Sequence, residues 1–144
     1  MFEQRSNSEL KAAARSCMHE LGLHRYWKLG AVRWGEAAST EHAHSEINPT
    51  NFTIDILIGY HVPPNKVREY IYHELLHLTT IMPEGLVQRH GSEFLQKEFA
   101  EFIEITVNQL VLMVLWLLRR IARLRARIAE LERKLLKQPP RRAA

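Results

Sequence analysis

Residues 54–77 have the sequence IDILIGYHVPPNKVREYIYHELLH, in which a strand pattern directly precedes a helix pattern. From Phe52 to Ile58 every second residue is apolar, which is the period of a half-buried β-strand. Gly59 ends that pattern. The sequence therefore predicts a strand that leads through a proline turn into a helix.

The helix is predicted to begin after the proline pair and to run to about Thr80. Pro63 and Pro64 cannot continue a strand ladder, and Asn65 can cap the first free amides of a helix. Apolar side chains then fall on one side of the helix, and two histidines fall on the opposite side, one turn apart. The apolar residues are Val67, Ile71, Leu75 and Leu78, and the histidines are His73 and His77.

Residues 73–77, His-Glu-Leu-Leu-His, form an HExxH pattern, which has chemical meaning only on a helix. Four residues are slightly more than one helical turn, so both imidazoles project the same way and can hold one zinc ion at about 2.0 to 2.1 Å. Glu74 lies about 100° around the helix from His73, within reach of a zinc-activated water. The pattern predicts a zinc peptidase site with His73 and His77 as metal ligands and Glu74 as catalytic base.

A catalytic zinc ion needs a third protein ligand and an open fourth position. His90 is the preferred candidate, because it follows His77 by thirteen residues and lies beyond a helix break at Pro83 to Gly85. A carboxylate on the next helix is the alternative, and the candidates there are Glu93, Glu98 and Glu101. The other histidines are expected to be surface or hydrogen-bonded groups: His19, His24, His42, His44 and His61.

Three stretches of the chain resemble the SprT-like family of zinc metallopeptidases, single-domain relatives of the gluzincins. Arg33-Trp34-Gly35 is similar to an RWG element that precedes the sheet of that family. Residues 54–77 resemble its strand, proline turn and active-site helix, and residues 90–94, His-Gly-Ser-Glu-Phe, resemble the segment that supplies its third histidine. The resemblance spans about residues 27–104 and implies zinc held by His73, His77 and His90.

The chain departs from many members of that family in two places. Their CxxC-type zinc ribbon has no counterpart here, because no cysteine follows Cys17. Glu36 follows the RWG element, where Ser-Cys is common in the family. The first departure removes the support for any nucleic-acid role that depends on a ribbon.

The composition, 46% hydrophobic and 25% charged over 144 residues, suits one core rather than two. We expect an α+β fold, with a small zincin-like domain of short β-sheet and HExxH helix followed by a long C-terminal coiled-coil helix. The predicted domains are residues 1–104 for the peptidase, 105–138 for the helix and 139–144 for a basic disordered tail. A first helix is predicted over residues 8–21, and a loop or irregular hairpin over residues 36–50.

Two further expectations concern the substrate. A strand that ends near the metal can offer its edge to an extended peptide, so the strand before the HExxH helix is the expected docking edge, unless it is paired on both sides. Four residues are candidates for stabilising the oxyanion of the reaction, and nothing in the sequence ranks them: Arg33, Tyr60, His61 and Tyr70.

A helix capped by Ser92 meets no breaker until Pro139. Apolar residues recur along it in steps of four and three, with mainly β-branched residues at one core position of the heptad and leucines at the other, which favours a parallel dimer. A homo-oligomer through residues 103–135 is therefore expected. The repeat comprises Ile103, Val107, Leu110, Val114, Leu117, Ile121, Leu124, Ile128, Leu131 and Leu135.

Charge divides the chain unevenly. Residues 105–144 hold ten Lys or Arg against two Glu, whereas the first 104 residues have a net charge of −4. The cluster from Arg119 to Arg127 can neutralise phosphates, so DNA or an anionic membrane surface is a possible partner. The alternative to a peptidase is a non-catalytic zinc-containing module that binds nucleic acid or protein through this basic helix.

The apolar run over residues 105–118 is 14 residues long and contains Asn108 and Gln109, whereas a bilayer span needs about 20. No transmembrane span is therefore expected. Cys17, the single cysteine, cannot form an internal disulfide, and no apolar signal segment follows Met1, so a cytoplasmic setting is expected. Within a helical apolar pattern, Cys17 is expected to pack as a small hydrophobe.

Overall fold

The structure, a computed structural model, describes residues 6–37, 41–81 and 91–136. Over these residues it is a mixed α+β fold with a three-stranded sheet, two shorter α-helices and one long C-terminal helix. The elements are α1 (Asn7–Glu20), β1 (Lys28–Gly35), β2 (Ala43–Asn48), β3 (Thr53–Gly59), α2 (Val67–Leu76) and α3 (Glu93–Leu136). The chain divides into two compact units, Met1–Val111 and Leu112–Ala144. The sequence-based boundary after residue 104 stays a prediction.

Strand β3 lies at the centre of the sheet, whose order is β1-β3-β2. It pairs in parallel with β1 and antiparallel with β2, and its alternate residues Ile54, Ile56 and Ile58 are buried. The predicted strand before the helix is therefore confirmed, although Phe52 lies outside it with a left-handed φ of 55° and an exposed side chain.

Strand β2 corrects the prediction of a loop or irregular hairpin over residues 36–50, because residues 43–48 form a regular strand. Its side chains alternate between half-buried and exposed, but Ile47 is its only strongly apolar residue, so the alternation is weak in sequence. Backbone pairing to β3 makes this segment a strand. The element Arg33-Trp34-Gly35 does not precede the sheet either, because it forms the end of β1.

Helix α1 confirms the predicted first helix almost to the residue. The Ser6 side chain caps it by accepting a hydrogen bond from the Ser8 amide. Its apolar face is buried and packs on β1 and α2. That face consists of Leu10, Ala14, Cys17 and Met18.

A polar network joins α1 to α2 beside this core. The Arg68 guanidinium donates to the Glu20 carboxylate at 2.8 Å, and the Tyr72 hydroxyl donates to the same carboxylate. Although partial burial by itself would raise the pKa of Glu20, hydrogen bonds from Tyr72, Arg68 and Ser16 hold that pKa below its ordinary value. The network orients α2 through its first two turns.

Helix α2 begins and ends in tighter 3-10 turns, Pro64–Lys66 and His77–Thr79. The predicted helical segment from the proline pair to about Thr80 is thus confirmed, with its last turn tightened at His77. Its apolar face is buried, including Ile71, Leu75 and Leu78.

Helix α3 begins after Ser92, whose hydroxyl accepts a hydrogen bond from the Leu95 amide at 3.2 Å, as a cap does. It continues for 44 residues. Three of its apolar residues are buried: Ile103, Val107 and Val111. By length and composition alone α3 could cross a membrane, which is weak evidence because the core helices of soluble proteins meet the same criteria.

Candidate metal centre and cleft

The two histidines of the HExxH pattern face one another on the same side of the α2 segment. Their Nε2 atoms lie 3.1 Å apart, and their ring centroids lie 4.9 Å apart. Both side chains are mostly shielded, with 18% of His73 and 16% of His77 exposed. The one-turn spacing thus directs two ring nitrogens at a common point.

Glu104 of α3 brings a carboxylate to that point. One of its oxygens lies 3.4 Å from His73 Nε2, and the other lies 3.3 Å from His77 Nε2. One ligand atom from each of the three residues can be chosen so that all lie within 4.8 Å of one another. Two imidazole nitrogens and one carboxylate oxygen form a donor set that suits a catalytic zinc ion.

The separations within this cluster also fit a metal ion. Donor atoms held about 2.0 to 2.1 Å from a tetrahedral ion lie roughly 3.3 to 3.4 Å from one another. The Nε2 atoms of His73 and His77 lie 3.1 Å apart, and they lie 3.4 and 3.3 Å from different oxygens of the Glu104 carboxylate. The donor types and these separations are therefore compatible with a metal ion held between the three residues.

Asn108 orients the first of the two rings. Its Oδ1 lies 3.1 Å from His73 Nδ1. An amide oxygen can only accept a hydrogen bond, so Nδ1 must carry the proton and donate it. In the neutral ring this leaves the Nε2 lone pair directed at the cluster, as a metal ligand requires.

Glu74 is the buried acid of the site. Only 5% of its surface is exposed. It lines the same cavity as His73, His77 and Glu104. Its neighbours in sequence, Leu75 and Leu76, are buried and fix its backbone in the core of the unit.

The cavity over the cluster has a volume of about 1020 Å³. The edge strand β2 lines it through residues that include His44, Ser45 and Ile47, and His42, which directly precedes the strand, lines it as well. Tyr70, one turn before His73, lines it as well. The cleft is large enough for several residues of an extended peptide and has a strand edge along its wall.

The prediction that β3 offers a docking edge is wrong, because β3 is paired on both sides. Within the described residues, β2 pairs with β3 alone, so β2 is the strand that has a free edge beside the cleft. Of the four oxyanion candidates, Tyr70 lines the cavity, whereas Arg33, Tyr60 and His61 are not among its lining residues.

His90, the preferred third ligand from sequence, lies outside the described residues. The carboxylate that reaches the histidines comes from α3, as the alternative expected, but it belongs to Glu104 rather than Glu93, Glu98 or Glu101. Glu101 lines the cavity one turn earlier. The sequence-based prediction missed Glu104 as a ligand. The signal that could have indicated it is the polar pair Glu104 and Asn108, four residues apart and next to the buried Ile103 and Val107.

Cys17 takes no part in this site. It is buried in α1, and burial raises the pKa of its thiol to about 11. The thiol is therefore protonated at neutral pH, and Cys17 packs as the small hydrophobe that the sequence predicts.

No family model, no curated protein and no solved structure matches this chain.

Proposed function

We propose that the chain is a zinc-dependent endopeptidase that hydrolyses extended or unfolded protein segments. The observation that carries the proposal is the convergence of His73, His77 and Glu104 beside the buried acid Glu74, in a cleft walled by a free strand edge. The likeness of residues 54–77 to the active-site segment of SprT-like peptidases supports the same activity. The proposed architecture is correspondingly zincin-like.

Each residue has a role that follows from its chemistry. A zinc ion held by His73, His77 and Glu104 would supply a Lewis acid that polarises a peptide carbonyl and lowers the pKa of water. Glu74 accepts a proton from the attacking water and donates it to the leaving amine. Tyr70 offers a hydroxyl donor on the cleft wall for the charge that develops on the carbonyl oxygen.

The substrate class follows from the wall of the cleft. An extended peptide can pair its backbone with the free edge of β2, which aligns several residues without selecting a particular side chain. Folded domains keep their backbone groups paired internally, so they are poor partners for such an edge. The enzyme is therefore expected to prefer disordered chains such as casein.

The base is tested with Glu74→Gln. This variant keeps the size of the side chain and loses its basicity, so it should retain stoichiometric zinc while casein cleavage falls by about 10² to 10⁴-fold. The measurements are zinc content by mass spectrometry and cleavage with and without a chelator. Cleavage retained by the pure variant would remove Glu74 as base, and a zinc-loaded wild type that cleaves no disordered chain would favour the non-catalytic binding module.

The third ligand is tested with three matched variants, Glu104→Ala, His90→Ala and Glu101→Ala. Loss of a direct ligand should weaken zinc binding by more than about 100-fold, the upper range for residues that only support a ligand. We expect this loss for Glu104→Ala alone, with Glu101→Ala as the control one turn earlier on the same helix. Loss with His90→Ala and retention with Glu104→Ala would assign the third position to the histidine.

A further inference from the structure

The second compact unit presents a long apolar stripe with no cover among the described residues. Seven residues from Val114 to Leu135 on α3 occupy the apolar core positions of the heptad repeat, and six of these side chains are at least 42% exposed. Those six are Leu117, Ile121, Leu124, Ile128, Leu131 and Leu135. A stripe of this length, over three heptads, is typical of a coiled-coil seam rather than of a solvated surface helix.

The beginning of the sequence repeat does not belong to this seam. Ile103 and Val107 are buried within the first unit and are not accessible to another chain. The oligomeric surface expected over residues 103–135 is therefore shortened to residues 112–136, which we call the seam segment. This segment has no core of its own, because a single helix cannot bury a stripe on its own surface.

We propose that the seam segment forms a parallel, two-stranded coiled coil with a second copy of this chain. The core residues support this occupant, because Val114, Ile121 and Ile128 at a and leucine at d favour two parallel strands. The d residues are Leu117, Leu124 and Leu131. The proposal does not depend on the peptidase activity.

The charges that flank the seam favour parallel over antiparallel pairing. In a parallel pair, each g residue faces the e residue of the next heptad in the other copy, which sets Arg127 opposite Glu132. Glu132 pairs with no described residue of its own chain, whereas Glu130 pairs with Lys134 at 2.6 Å and with Arg127 at the longer distance of 3.4 Å. One contact is unfavourable, that of Arg120 with Arg125, although both lie at the solvated rim.

Antiparallel pairing would instead set g residues against g residues. These are basic in three successive heptads: Arg120, Arg127 and Lys134. The parallel pair also sets Met113 opposite Leu118, two apolar residues outside the a and d positions. This second contact widens the apolar seam where the helix is most hydrophobic.

The seam is tested in the full chain with two double variants that add the same charge one residue apart. Ile121→Glu with Ile128→Glu places two carboxylates in the seam, and Ala122→Glu with Ala129→Glu places them on the outer b positions. Sedimentation equilibrium should give a dimer for the wild type and for the outer variant. The seam variant should raise the dimer dissociation constant by at least about 100-fold, because buried apolar side chains become charged.

Equal behaviour of the two variants would overturn the seam, as would a wild type that stays monomeric at all concentrations. A monomeric wild type that binds vesicles of anionic phospholipid, or duplex DNA, would assign the segment to that surface instead. Far-UV circular dichroism checks that both variants keep the helix.

Orientation is tested independently with Leu131→Cys and its control Ala129→Cys. Equivalent d residues of a parallel, in-register dimer lie within disulfide reach, and b residues do not. Oxidation should therefore link two copies through Cys at position 131 and leave the control unlinked. The native Cys17 is buried and does not compete. A dimer that fails to link at position 131 would overturn the parallel arrangement.

Discussion

Helix α2 and the seam segment are both amphipathic, but only α2 has its apolar face covered within the described residues. Leu75 of α2 is fully buried, whereas Leu124 of the seam segment is 56% exposed. Packing on α1 and β3 holds α2 in place, so His73, Glu74 and His77 can be positioned for chemistry. Periodicity therefore gives a helix an apolar face and a polar face. The elements that pack against the apolar face decide whether the helix is held in place to carry a functional site or is left with a surface for a partner.

The largest expected effect is on the free energy of unfolding, when a leucine is replaced by alanine in α2 and, for comparison, in the seam segment. Leu75→Ala removes a fully buried side chain and should destabilise the first unit by about 2 to 5 kcal/mol. Leu112→Ala removes a side chain that is 66% exposed and lies off the seam, so it should change stability by less than about 0.5 kcal/mol. Urea unfolding of both variants measures the difference, and equal losses would show that the second helix is packed in solution.

A smaller effect is expected on zinc affinity when the hydrogen bond between Asn108 and His73 is removed. Asn108→Ala removes the acceptor for His73 Nδ1 and should weaken zinc binding by about 10 to 100-fold without changing the ligands themselves. Asn108→Asp keeps an acceptor and should retain most of the affinity. Zinc competition titration measures both, and Gln109→Ala is the control on the neighbouring exposed position. An unchanged affinity in Asn108→Ala would mean that the ring is oriented by packing alone.

The smallest expected effect concerns the network that joins α1 to α2. Because the pKa of Glu20 is lowered by folding, its ionised form stabilises the fold above the unfolded pKa, and this contribution is lost as pH falls through the folded pKa. Glu20→Gln should therefore destabilise the first unit by less than about 1 kcal/mol at neutral pH, since the pair with Arg68 is partly exposed. The difference should shrink below pH 4.5.

Thermal unfolding of wild type and Glu20→Gln at several pH values measures this dependence. Glu46→Gln, on the exposed side of β2, is the control for a carboxylate outside the network. A Glu20→Gln penalty that grows on acidification would contradict the assigned role of the network.

Expectations from local patterns agree best with the structure. The limits of α1 follow from its apolar period and its cap region, and the strand at residues 53–59 and the helix after the proline pair follow from apolar period and breakers. The predicted Asn65 cap is wrong, because Asn65 lies within the 3-10 turn Pro64–Lys66 and no side chain caps that turn or α2. Strand β2 was not predictable in this way, because Ile47 alone carries its apolar signal and its pairing partner supplies the rest. The central position of β3 likewise could not be predicted, because it depends on pairing with β1, which is distant in sequence, and with β2, whose apolar pattern is weak.

The sequence by itself determined that His73 and His77 share one side of a helix, because a spacing of four residues is local geometry. It also determined the heptad stripe of the seam segment for the same reason. Only the tertiary structure decided that Glu104 meets these histidines, that β2 provides the free edge, and that Ile103 and Val107 are buried. Periodicity states which residues share a face, but the contacts that cover a face join residues far apart in the chain, and no local spacing encodes them.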